Sequence, residues 1–79
     1  MSKKFSEASK DSLVNFLRDE YMKEGGADNM SIAIRDCLTD MFHLWDCLDF
    51  KEITLQERVR DAHEVYIAEK NAINLKNNP

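Results

Sequence analysis

The sequence predicts a small all-α protein, a three-helix bundle, on three observations. Apolar residues recur at three- and four-residue spacing in three stretches, and two short polar breaks separate those stretches. No run alternates apolar with polar residues as a half-buried strand does. The 79 residues suffice for one domain. A single helical domain over 1–79 is therefore expected, with helices at about 9–24, 30–48 and 55–73 and fraying termini.

In the first stretch Ser6 and Ser9 each offer an N-cap oxygen, and Asp11 suits the positive end of the helix dipole. Leu13, Phe16, Leu17, Tyr21 and Met22 then form one stripe. Gly25 and Gly26, the only glycines of the chain, are expected to end the helix, because glycine enters the left-handed region without a Cβ penalty. Asp28 or Asn29 caps the second helix. There Ile34, Leu38, Met41, Trp45 and Leu48 make a narrow stripe, widened by Met30, Ala33, Cys37 and Leu44 on one side and Phe42 on the other. So broad a face predicts a central helix touching more than one neighbour.

Asp49 to Ile53 form the second break, with Phe50 and Ile53 expected to plug the end of the bundle. Thr54-Leu55-Gln56-Glu57 matches the capping box, in which each side chain takes the other residue's free backbone N–H. Leu55, Val59, Ala62, Tyr66 and Ile73 line one face of the third helix, and Asn71, Asn74, Asn77, Asn78 and Pro79 make its far end polar. Three helices this short bury little more than their ordering costs. A homodimer is expected for that reason, built on the wide apolar arc of the second helix with Ile32 and Phe42 at its edges.

Eleven basic against fifteen acidic residues leave a net charge of −4, which argues against direct nucleic-acid binding, since that needs a surplus of Lys and Arg. On the third helix Arg58, Arg60, Lys70 and Lys76 are offset by Glu57, Asp61, Glu64 and Glu69, so no basic recognition face forms. No window approaches the roughly 20 apolar residues of a membrane span, and no signal-peptide pattern opens the chain. Cys37 and Cys47 fall on one helix about 15 Å apart, beyond disulfide reach. Reduced thiols in a cytoplasm are the expectation.

The most suggestive chemistry is a row of Asp36, Asp40, His43 and Cys47, whose spacings of four, three and four bring all of them to one helix face. Carboxylate, imidazole and thiolate can each hold zinc. Helical metal sites, however, draw ligands from facing helices, and this row points away from the apolar stripe. An exposed polar face is the simpler reading, with no metal or cofactor expected. His63, at the edge of the third helix's stripe, is expected to be packed and to donate one hydrogen bond. All-α nucleotide pyrophosphatases bind magnesium through Glu-x-x-Glu clusters. The nearest strings here are Asp36-x-x-x-Asp40 and Asp61-x-x-Glu64, the first with the wrong spacing. A metal-dependent nucleotide hydrolase is therefore an alternative only, and no catalytic residue is assigned. Met22, Met30, Met41 and Trp45 could form an adaptable binding surface, but at helical spacing they read more simply as core.

The stretch Ile34 to Glu69 carries Asp36-Cys37-Leu38-Thr39-Asp40-Met41-Phe42-His43-Leu44-Trp45-Asp46, then Asp49-Phe50, then Arg58-Val59-Arg60-Asp61-Ala62-His63-x-x-Tyr66-x-x-Glu69. This resembles short helical proteins of phages and mobile elements that carry an L-x-D-L-x-H-x-x-D helix followed by D-F and A-x-x-H-[YF]-x-x-E. The match covers about half the chain and departs from the pattern where Glu64-Val65 separate His63 from Tyr66. The resemblance implies a phage accessory protein in the host cytoplasm. Small acidic phage proteins, anti-CRISPR proteins among them, often work by occupying a surface on a host machine. An acidic face can dock in a basic channel that normally holds nucleic acid. Asp36, Asp40, His43, Asp46 and Asp49 are the expected partner-binding residues. The functional expectation is a non-catalytic inhibitor of a host defence or nucleic-acid-processing complex, with a helical regulatory or scaffold subunit as a further alternative.

Overall fold

Each helix begins where a side-chain oxygen takes up an otherwise unpaired backbone N–H. The structure, a computed structural model, describes the backbone of residues 5–77 and the side chains of residues 5–72. It contains α1 (Glu7–Tyr21), α2 (Met30–Leu48) and α3 (Leu55–Asn77), with no strand among the described residues. The fold class is all-α, compatible with a small three-helix bundle. No helix among the described residues is long and apolar enough to cross a membrane.

Of the two possible caps for α1, Ser6 serves: its Oγ accepts from the Ser9 backbone N–H at 3.1 Å. At α2 it is Asn29, whose Oδ1 accepts from the Ile32 N–H at 2.9 Å. The capping box of α3 forms in both directions, with Glu57 N–H donating to Thr54 Oγ1 at 3.2 Å and Thr54 N–H to Glu57 Oε2 at 3.4 Å.

α2 keeps its expected bounds, whereas α1 and α3 end elsewhere than expected, α3 running on to Asn77 rather than stopping near 73. α1 stops at Tyr21, ahead of the glycines, and Met22 donates its N–H to the Arg18 carbonyl. The glycines shape the turn that follows. Gly25 takes φ +82°, and Gly26 comes so close to the chain that a Cβ there would lie 2.5 Å from the Tyr21 carbonyl oxygen. Ala27 N–H donates to that same carbonyl at 2.7 Å. α2 ends on Asp49, which itself adopts the left-handed region at φ 56° and donates its N–H to the Trp45 and Asp46 carbonyls. An aspartate tolerates this conformation better than most residues. The expected fraying of the chain ends falls on residues 1–4, 78 and 79, outside those described.

Two compact units divide the chain, Met1–Leu44 and Trp45–Pro79, with the boundary inside α2. Among the described residues only Leu17, at 8% exposure, and Ala33, at 0%, are buried, both in the first unit. The expected interior stripe of α2 is largely open instead: Ile34, Leu38, Met41 and Leu48 all reach solvent. Periodicity marks which face is apolar, but only a neighbouring element can cover it.

Candidate functional site

In the first unit the stripes of α1 and α2 meet without closing. Leu13, Phe16 and Leu17 of α1 and Ile34, Leu38 and Met41 of α2 line an open groove of about 400 Å³. Its lining holds a single charged residue, Lys10, whose Nζ pairs with Glu7 Oε2 at 3.4 Å. Met30 and Cys37 also line it, both half-buried. One polar bond ties the two helices together beside this groove, where Tyr21 Oη donates to Asp40 Oδ2 at 2.9 Å. That bond, then desolvation and the nearby Cys37 thiol, raise the Tyr21 phenol above its ordinary range.

The expected partner-binding row divides between the units. In the first, Asp36 is half-buried and accepts from Arg35 Nη2 and Nε at 3.0 and 3.2 Å. Asp40 is engaged by Tyr21, and His43 is exposed. In the second, Asp46 and Asp49 are exposed, and Asp49 lies 3.7 Å from the Lys51 ammonium. Asp36 and Asp49 are thus each offset by a cation of this chain, while Asp40 bonds a neutral phenol and keeps its charge. Among the described residues no three His, Cys, Asp or Glu side chains come together in a way that could hold an ion, so Asp36, Asp40, His43 and Cys47 do not converge. Cys37 and Cys47 are free thiols.

In the second unit Trp45 makes a local cluster. Its Nε1 donates to the Ile53 carbonyl at 3.1 Å, and its ring lies 4.6 Å from that of Phe50. Phe50 does not act as a plug: half of it stays in solvent. α3 has no buried side chain among residues 55–72. Val59, Val65, Tyr66 and Ile67 are exposed, with the Lys70 ammonium 5.9 Å from the Tyr66 ring centroid. His63 was expected to be packed and is exposed, 6.0 Å from Tyr66. That edge of α3 has no core to join. The expected burial of Ile73 falls outside the described side chains.

The sequence marks Ile34, Leu38 and Met41 as one apolar face, and the width of that face, broader than one neighbouring helix covers, is the signal that α1 would not enclose it. Compared with protein-family models, curated proteins and solved structures, the chain matches none of them.

Proposed function

We propose that this chain is a non-catalytic protein-binding module. The observation that carries this reading is α3, a helix of 23 residues with none of its described side chains buried and four large apolar ones in solvent. A helix of this kind gains little from its own unit and much from a partner surface. In its narrower form the module is a phage-encoded inhibitor that occupies a basic, nucleic-acid-holding surface of a host complex. The exposed Asp46 and the remaining acids of α2 then steer the encounter, which raises the association rate more than the final affinity. Among the described residues no three His, Cys, Asp or Glu side chains gather to favour the nucleotide-hydrolase alternative.

The test is affinity capture from host lysate with the natural chain and two variants. Val59→Glu with Tyr66→Glu is expected to abolish the captured partner while helicity by circular dichroism is kept. Asp36→Lys with Asp46→Lys is expected to slow association and flatten its salt dependence. Asp40 is left intact because it anchors Tyr21. Capture of nothing but the chain itself, or an unchanged partner with both variants, would overturn the reading.

A further inference from the structure

We propose that the groove between α1 and α2 is the seat for a second copy of this chain. This goes beyond the foreign partner assigned to α3 and rests on a different surface. Phe5, Leu13, Phe16, Ile34, Leu38 and Met41 are 40–66% exposed around one groove. At on the order of 100 Å² left open by each, they offer roughly 600 Å² of apolar surface per copy. Two copies closing on each other would bury at most about 1,200 Å², which reaches the lower bound of specific interfaces.

Charge points to the same occupant. A chain of net charge −4 repels its own copy over most of its surface. The groove lining contains none of the fifteen acidic residues, and its one cation is paired with Glu7. Like can therefore meet like there without opposed charges of one sign, as a two-fold contact requires. Stability argues likewise. The first unit ends at Leu44, and among its described residues only Leu17 and Ala33 are buried. Units of about 40 residues usually need a disulfide, a metal or association to hold together. Cys37 is free, and no ion-holding group forms among the described residues. Association would add burial to a unit that has little of its own.

The first measurement is mass in solution by sedimentation over a micromolar concentration series. The natural chain is expected to be a dimer, and Phe16→Glu with Leu38→Glu a monomer with its helicity retained. Val59→Glu with Tyr66→Glu should leave the dimer intact, which separates this contact from the α3 surface. Should the groove variant fail to fold, Cys47→Ser leaves Cys37 as the only thiol, a reporter placed in the groove lining. Its alkylation rate is expected to fall several-fold as protein concentration rises through the dimer range. A monomer throughout, a dimer indifferent to Phe16→Glu with Leu38→Glu, or a Cys37 rate independent of concentration overturns the proposal. The last result would mean that the groove is open or covered by the chain's own residues.

Discussion

α1 with its stretch of α2, and α3, put their apolar residues to opposite uses. The first pair buries Leu17 and Ala33 and links Tyr21 to Asp40, residues 19 positions apart. α3 buries none of its described side chains, and the bonds of Thr54 with Glu57 and of Arg58 with Asp61 join residues three apart. One region is held by tertiary contact, the other by helix-local chemistry. A mutation should therefore be costly in the first according to burial, and in the second according to capping.

Leu17→Ala should produce the largest loss, about 2–5 kcal/mol in denaturant unfolding, because it empties a buried site. The counterpart Val59→Ala in α3 should cost under about 0.5 kcal/mol, as exposed positions do. Equal losses at the two positions would erase the contrast. Next comes Ala33→Leu, which forces extra volume into a site with no exposure and should cost about 1–3 kcal/mol, whereas Ala62→Leu on exposed α3 should be near neutral. Thr54→Ala removes one half of the α3 capping box and should cost about 1 kcal/mol, with loss of helicity concentrated in α3. Amide exchange along α3 reads that localisation directly.

The smallest effect concerns pH. The Tyr21 phenol is raised in the folded chain, so the stability it contributes is complete below its unfolded value of about 10 and is lost as pH rises further. Melting curves across that range should show an alkaline decline that Tyr21→Phe lessens. An identical decline in the variant would mean that other groups, such as the lysines, account for all of it.

Helix starts were legible because their bonds lie within three residues: Thr54 with Glu57 could be read letter by letter, and Ser6 and Asn29 stood among the possible caps. The end of α1 was less so. Glycine permits a left-handed residue, yet the chain turns at Met22 first and uses Gly25 for that conformation and Gly26 for the close approach beyond. The stripe of Ile34, Leu38 and Met41 was visible as apolar, but whether it is covered depends on residues far along the chain or on another molecule. Likewise the spacing of Asp36 and Asp40 revealed a shared face without disclosing that Arg35 and Tyr21 engage them.

Because Thr54 and Glu57 satisfy each other within a single turn, these two backbone N–H groups at the start of α3 need no partner from elsewhere in the molecule. Four consecutive letters make a transferable initiation signal. Spliced ahead of an unrelated amphipathic run, they should set the first residue of its helix just as they do here.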